Sequence, residues 1–209
     1  MDTVDEAAAV QAMLNIFARS SVSRWTDPVG AGLVRLGLSP NVVTVLGTSA
    51  SVASALWFFP RGRLFLGTVV VAVFLLFDVL DGAMARAGGK ASTFGGVLDA
   101  SCDRIADGAL FGSLVWWALV VDGDRPLGAG LLLCLVCAQV ISYVKARAEA
   151  NGLRANGGLA ERAERFLFVL IGTGLHGLGV PYVLDIAVWA LAVLSIVTVV
   201  QRLAIAARA

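Results

Sequence analysis

The chain has 209 residues, of which 58% are apolar and only 15% are charged, with a formal net charge of +1. Average soluble domains carry roughly 25% charged residues, so this composition excludes an ordinary soluble domain. One membrane span needs about 20 residues, and the length therefore allows several spans within a single domain. A net charge this close to zero does not indicate a nucleic-acid partner, and none is expected.

The amino-terminal segment precedes the first long apolar stretch. Met1–Met13 is rich in alanine and carries three acidic residues without a basic start, so it does not have the pattern of a secretory signal. Asn15–Leu38 mixes apolar and basic residues and is predicted to form an amphipathic helix at the membrane interface. We therefore divide the chain into an amino-terminal segment, residues 1–38, and a transmembrane domain, residues 39–209.

Six apolar stretches follow, and we predict an all-α membrane protein in which each stretch contributes one transmembrane helix. Ser39-Pro40 is typical of a helix start, and Gly88-Gly89 interrupts the chain between the second and third stretches. The second and third stretches reach spanning length only if the acidic segments beside them are included. The stretches are Val42–Phe59, Leu64–Phe77, Gly108–Val121, Leu127–Val144, Phe166–Val180 and Ile186–Val200.

The basic residues indicate how these spans are oriented. Six spans place both chain ends on one side of the membrane. Thirteen of the sixteen Lys and Arg residues fall on that side, and only Arg61, Arg63 and Arg125 fall on the other. Cytoplasmic segments of membrane proteins carry an excess of Lys and Arg. We therefore predict that the chain ends, and the acidic segments near the second and third spans, face the cytoplasm.

Four aspartates flank the break between the second and third spans. Asp78 and Asp81 are three residues apart, and Asp99 and Asp103 are four apart, so on helices each pair shares one face. Because unpaired carboxylates at a membrane are costly, the group requires neutralisation, and Mg²⁺ or Mn²⁺ accepts hard oxygen ligands of this kind. The small residues Gly82, Ala85 and Gly95 leave room for a nucleotide, and Arg86 supplies a positive charge for a phosphate.

Two other interpretations of the acidic cluster remain open at this point. In the first, the aspartates serve only as structural salt-bridge partners of Arg86, Lys90 and Arg104. In the second, they belong to an ion or proton pathway, since acids within membranes serve transporters. No matching acids lie deeper in the other spans, which favours a site at one membrane surface over a route across it.

The acidic segments resemble the sequence pattern of the CDP-alcohol phosphotransferases, D-x2-D-G-x2-A-R-x8-G-x3-D-x3-D. The resemblance implies that Asp78, Asp81, Asp99 and Asp103 bind one or two divalent metals, Mg²⁺ or Mn²⁺, and that Asp103 is also the general base. It further implies that the CDP-linked lipid is bound by two groups of residues. These are Pro40, Asn41 and Thr44 at the start of the first span, and Asp78, Gly82, Ala85 and Arg86 on the second.

The second half of the chain is expected to bind the acceptor alcohol. Lys145 and Arg165 fall near the cytoplasmic ends of the fourth and fifth spans, where cations favour a phosphorylated acceptor. The stretches around Ser142 and from Glu161 to Arg165 resemble actinobacterial phosphatidylinositol phosphate synthases. That resemblance implies CDP-diacylglycerol and inositol phosphate as substrates, a homodimer, and a location in the bacterial inner membrane. It also implies that Ser142, Lys145, Arg165 and Arg202 hold the acceptor phosphate.

Two alternatives to this function remain. A related enzyme that uses glycerol 3-phosphate would also need a basic pocket, so the cations alone do not distinguish the two acceptors. A transporter or a non-catalytic membrane scaffold is the alternative from another functional class. Cys134 and Cys137 form a C-x-x-C pattern inside an apolar stretch, where we interpret them, like Cys102, as packing residues and not as a redox pair.

Overall fold

The computed structural model describes residues 27–35, 37–88, 92–153 and 157–208, without the side chains of 76–79, 81, 82 and 85–88. The described residues are helical and connected by short turns, and no strand occurs among them. This agrees with the predicted all-α class. Residues 27–35 form α1, and the longer helices are α2 (Pro40–Phe58), α3 (Leu64–Gly88), α4 (Thr93–Trp116), α5 (Arg125–Ala150), α6 (Arg162–Gly177) and α7 (Val183–Arg208).

Local sequence explains where several helices begin and end. Ser39 caps α2, since its Oγ accepts a hydrogen bond from Val42 N at 3.3 Å. Asp124 caps α5 in the same way, accepting from Leu127 N at 2.9 Å. A short 3-10 turn, Phe59–Arg61, joins α2 to α3 and ends at Gly62, whose φ of 70° is in the left-handed region that favours glycine. As predicted, α3 and α4 include the acidic segments beside their apolar stretches.

Four of the described helical segments are long and apolar enough to cross a membrane. Within α3, the apolar segment found among the described side chains is Leu64–Leu75, which is shorter than a span requires, and α6 has 16 residues. Crossings by α3 and α6 therefore stay predictions. For the predicted interfacial helix Asn15–Leu38, residues 27–35 are helical, and the part before residue 27 lies outside the described residues. The four candidate spans are Pro40–Arg61, Thr93–Asp122, Arg125–Ala150 and Val183–Arg208.

The helices divide into two compact units. Unit 1 comprises Met1–Gly47, described from residue 27, and Leu75–Ala100; unit 2 comprises Thr48–Phe74 and Ser101–Ala209, described to residue 208. Within unit 1, α1 packs tightly on α3: a Cβ added at Gly30 would lie 3.0 Å from the carbonyl carbon of Ala83. Small residues thus allow the backbones of these two helices to approach closely.

Unit 2 packs α5 and α6 against α7. A Cβ at Gly130 would lie 2.9 Å from Val188, and one at Gly172 would lie 2.8 Å from Ala187, so glycines bring α5 and α6 close to α7. Large apolar side chains elsewhere on the helices are exposed, which suits faces that contact lipid acyl chains. Cys102, Cys134 and Cys137 are buried and form no disulfide, in agreement with their interpretation as packing residues.

Candidate active site

Most of the predicted donor-binding residues lie on the helices of unit 1. Asp78 and Asp81 are on α3, three residues apart, with Gly82, Ala85 and Arg86 following before the helix ends at Gly88. The side chains of these five residues are outside the description, so their predicted roles stay predictions. Asp99 is on α4 in the same unit, and its carboxylate is exposed.

The start of α2 meets the start of α4 within unit 1. Ser92 caps α4, because its Oγ accepts a hydrogen bond from Gly95 N at 2.9 Å. A Cβ added at Gly95 would lie only 3.2 Å from Asn41 Oδ1. Asn41, which the family resemblance assigns to the CDP-linked lipid, and Gly95, expected to leave room for a nucleotide, are thus neighbours. Thr44 is buried one turn further along α2, and its hydroxyl donates to the Pro40 carbonyl at 3.1 Å.

Asp103, the predicted general base, is in unit 2 and contacts arginines from two helices. Arg162 Nη1 lies 2.7 Å from Asp103 Oδ1, and Arg104 Nη2 lies 3.8 Å from Asp103 Oδ2. Arg162 is the first residue of α6, whereas Arg104 directly follows Asp103 on α4. The interpretation of the aspartates as salt-bridge partners anticipated Arg104. The shorter contact is with Arg162, which the sequence assigned only to the basic side of the membrane.

Asp107 is a further acid at this place that the sequence interpretation missed. Its side chain is 0% exposed, and its Oδ2 lies 3.2 Å from Arg104 Nη2 and 3.5 Å from Arg165 Nη2. Its Oδ1 lies 3.6 Å from Arg162 Nε. One signal was available, because Asp107 follows Asp103 by four residues and therefore shares its helix face. We refer to Asp103, Asp107, Arg104, Arg162 and Arg165 as the aspartate–arginine cluster.

The aspartate–arginine cluster is rich in cations. Among the side chains that the structure describes, it joins three guanidinium groups to two carboxylates. The side chains of Arg104 and Arg162 are partly exposed, at 28% and 24%. Such a group of cations attracts an anion, and the planar donor fork of arginine suits phosphate oxygens. Arg165 is 1% exposed and gives one hydrogen bond, Nη1 to the Ala160 carbonyl at 3.0 Å, in addition to its pairing with Asp107.

The other predicted acceptor residues have partners of their own. Arg202 is buried on α7 and donates Nε to the Gly157 carbonyl at 2.9 Å and Nη1 to the Ile141 carbonyl at 3.0 Å. Ser142, next to Ile141 on α5, donates its hydroxyl to the Ala138 carbonyl at 3.0 Å. Lys145 is exposed, with its Nζ 4.0 Å from Glu149 Oε1. The structure thus brings Arg165 close to Asp103, the predicted base, through shared partners. It also brings Arg202 to the turn of α5 that contains Ser142.

The donor atoms in the acidic segments fit a divalent metal of the magnesium type. Aspartate oxygens are hard ligands of the kind that Mg²⁺ and Mn²⁺ bind, and Asp99 is an exposed residue. Among the side chains that the structure describes, no three His, Cys, Asp or Glu residues are grouped closely enough to hold a metal. Asp78 and Asp81, which the pattern requires for that purpose, are not among those side chains.

Comparison with known proteins places this arrangement in a family. The family model for CDP-alcohol phosphatidyltransferase matches residues 37–201. Phosphatidylinositol phosphate synthase from Mycobacterium tuberculosis (strain ATCC 25618 / H37Rv) is 54% identical over 193 residues, covering 91% of this chain and 89% of the relative. The enzyme of the same name from Corynebacterium glutamicum is 48% identical over 198 residues, covering 94% of this chain and 90% of that relative.

Solved structures agree with the sequence relatives. The crystal structure of Mycobacterium tuberculosis phosphatidylinositol phosphate synthase with CDP-DAG bound has a TM-score of 0.84 and 55% identity, covering 88% of this chain and 94% of that one. The structure of the same enzyme in complex with manganese and citrate has a TM-score of 0.83 and covers 87% of this chain and 88% of that one. Because the family model matches most of the chain, this protein belongs to the CDP-alcohol phosphatidyltransferase family and is a membrane enzyme.

Proposed function

We propose that this enzyme transfers the phosphatidyl group of CDP-diacylglycerol to inositol phosphate, giving phosphatidylinositol phosphate and CMP. One observation of the structure carries the proposal. Asp103, the last acid of the family pattern, is joined through Arg162 and Asp107 to the buried Arg165, in a cluster where the described side chains supply three guanidinium groups and two carboxylates. The residue that would activate the acceptor hydroxyl therefore lies next to cations that suit the acceptor phosphate. Relatives about half identical in sequence carry the name of this activity.

The reaction needs an activated hydroxyl and a positioned phosphate group. Arg165 holds the acceptor phosphate, together with Ser142, Lys145 and Arg202, through charge-assisted hydrogen bonds. Asp103 accepts the proton of the acceptor hydroxyl as that oxygen attacks the lipid-bearing phosphorus, and CMP leaves with the bonding electrons. A positioned general base contributes about 10²–10⁴-fold to the rate. No covalent enzyme intermediate is required.

The donor is held by the residues of the family pattern. Asn41, with Pro40 and Thr44, borders the nucleotide at the start of α2, where Gly95 leaves space beside the Asn41 amide. Gly82 and Ala85 border it on α3, and Arg86 contacts a phosphate. Asp78, Asp81, Asp99 and Asp103 would hold Mg²⁺ or Mn²⁺, and the metal would supply charge stabilisation to the pyrophosphate oxygens.

The proposal includes an arrangement in the membrane. All six long helices, α2 to α7, cross the bilayer of the bacterial inner membrane, and an interfacial helix within residues 15–38 precedes them. The site faces the cytoplasm, because thirteen of sixteen basic residues fall on that side. The enzyme acts as a homodimer.

One assay tests the function. The protein is purified in detergent and supplied with CDP-diacylglycerol, Mg²⁺ or Mn²⁺, and one of three acceptors: inositol phosphate, free inositol or glycerol 3-phosphate. We expect CMP release with inositol phosphate. Release with glycerol 3-phosphate alone would establish the alternative acceptor, and no release with any acceptor would favour a transporter or scaffold.

Substitution of the base tests the assigned roles in the same assay. Asp103→Asn should lower kcat by at least a hundredfold, since the amide cannot accept the proton of the hydroxyl. Asp185→Asn, a change of the same chemistry near the start of α7, is the control and should leave turnover unchanged. Near-normal kcat in Asp103→Asn would contradict the assignment of the general base.

A further inference from the structure

We propose that Asp107 is a positioning residue of this enzyme: it aligns Arg162 and Arg165 so that the acceptor phosphate is bound next to Asp103. Asp107 lies outside the family pattern, which ends at Asp103. The inference rests on the proposed function, because it concerns the binding of a phosphorylated acceptor. It assigns Asp107 no contact with substrate.

The carboxylate of Asp107 lies among three guanidinium groups. Asp107 is one helical turn beyond Asp103 on α4, on the same face. Its Oδ2 faces the Nη2 atoms of Arg104 and Arg165 at 3.2 and 3.5 Å, and its Oδ1 faces Arg162 Nε at 3.6 Å. A single buried side chain thus contacts guanidinium groups from two helices, α4 and α6.

Asp107 also acts on Arg162. The guanidinium of Arg162 lies between the two acids, with Nη1 2.7 Å from Asp103 Oδ1 and Nε 3.6 Å from Asp107 Oδ1. The second distance is that of an ion pair and exceeds that of a hydrogen bond. Asp107 therefore attracts the Nε side of this guanidinium electrostatically, and in this way favours the orientation in which Arg162 contacts Asp103.

Asp107 also helps to hold Arg165 in place. The Ala160 carbonyl accepts from its Nη1, and Asp107 lies against its Nη2, so two nitrogens of the fork are anchored. Its Nε is buried and has no hydrogen-bond partner in the described part of the chain. An arginine offers five N–H donors, and those left over are available to phosphate oxygens. Arg162 and Arg165 are three residues apart on α6, so both present their donors on one face.

Asp107 is better explained by positioning than by stabilisation alone. Buried ion pairs are often no more stabilising than apolar residues of the same volume, because desolvating the charges opposes their attraction. Among the described side chains of the cluster, three guanidinium groups face Asp103 and Asp107, so removing Asp107 removes one of the two acids that hold these cations together. Asp107 thus keeps mutually repelling cations together where an acceptor phosphate would bind.

The experiment measures KM and kcat for Asp107→Asn, which keeps the side-chain shape and removes its charge. We expect the KM for inositol phosphate to rise at least tenfold while the KM for CDP-diacylglycerol changes less than twofold. Asp122→Asn is the matched control, because that aspartate is exposed at the far end of the same continuous helical segment. Its two KM values should equal those of the wild type.

A double-mutant cycle with Arg165→Gln provides a readout that a structural role would not produce. If Asp107 acts through Arg165, Asp107→Asn should raise the KM for inositol phosphate less than threefold in the Arg165→Gln background. Fully additive effects in the cycle would overturn the proposal. Equal increases of both substrate KM values in the single variant would overturn it as well.

Asp107→Glu covers the case in which Asp107→Asn does not fold. The glutamate keeps the charge but displaces it by one methylene. We therefore expect a folded enzyme whose KM for inositol phosphate is higher than that of the wild type, but by less than tenfold. Folded Asp107→Glu with a wild-type KM, together with an unfolded Asp107→Asn, would make Asp107 purely structural. The wild-type assay is separate: a wild type inactive with every acceptor refutes the proposed function, whereas an active wild type with unchanged variants refutes only this inference.

Discussion

Thr198→Val should destabilise the protein by removing one buried hydroxyl of α7. Thr198 is 0% exposed, and its Oγ1 accepts a hydrogen bond from Ala160 N at 2.9 Å and donates to the Leu194 carbonyl at 2.8 Å. Valine has nearly the same shape but leaves the buried Ala160 N–H without this acceptor. An unsatisfied buried donor costs about 1–3 kcal/mol. In a chain of this length that loss corresponds to a Tm about 2–12 °C lower.

The assay is thermal unfolding of the purified protein in one detergent at one concentration. Thr173→Val is the matched control, because Thr173 is also 0% exposed and its hydroxyl has no hydrogen-bond partner among the described residues. The same chemical change should leave the Tm of that variant equal or slightly higher. Equal decreases of Tm in both variants, or no decrease in Thr198→Val, would refute the reasoning.

Three further predictions address packing, the metal and the surface. Gly177→Ala should lower the free energy of unfolding by about 1–3 kcal/mol, and the Tm with it, because the added Cβ would overlap the Phe65 backbone nitrogen; Gly112→Ala, where the added Cβ has open space, should lower neither. Chelation by EDTA should abolish CMP release, and Mg²⁺ or Mn²⁺ should restore it; activity that survives chelation would contradict the metal assignment. Glu149→Gln should change stability by less than about 1 kcal/mol in thermal unfolding, since its pairing with Lys145 is solvent-exposed; a larger loss would contradict that interpretation.

Much of the fold was predictable because helix formation in this chain is governed locally. Apolar stretches located the helices, and Ser39 marked the start of α2, which the structure confirms. The ends were less predictable. Helix α5 continues to Ala150, and α7 to Arg208, beyond the apolar stretches, because backbone hydrogen bonding does not require apolar side chains. Whether the 16-residue α6 crosses the membrane depends on its neighbours, which a single sequence does not reveal.

The candidate site was predictable where its residues are close in sequence. The spacing of the aspartates on α3 and α4 required only helix periodicity and the family pattern. The aspartate–arginine cluster required a tertiary contact between positions 58 residues apart, Asp107 and Arg165. The sequence interpretation assigned Arg165 to a phosphate and left Asp107 without a role. No periodicity connects α4 to α6, so the ion pair could not be found before the helices were placed.

The burial of all three cysteines makes the native protein suitable for site-directed labelling. Cys102, Cys134 and Cys137 are each less than 10% exposed, and inaccessible thiols react slowly with maleimides. A single new cysteine at Asn151 or Leu178, both exposed in the turns that flank α6, would be modified in an otherwise unreactive background. An impermeant maleimide added to sealed vesicles would then report on which side of the bilayer each end of α6 emerges.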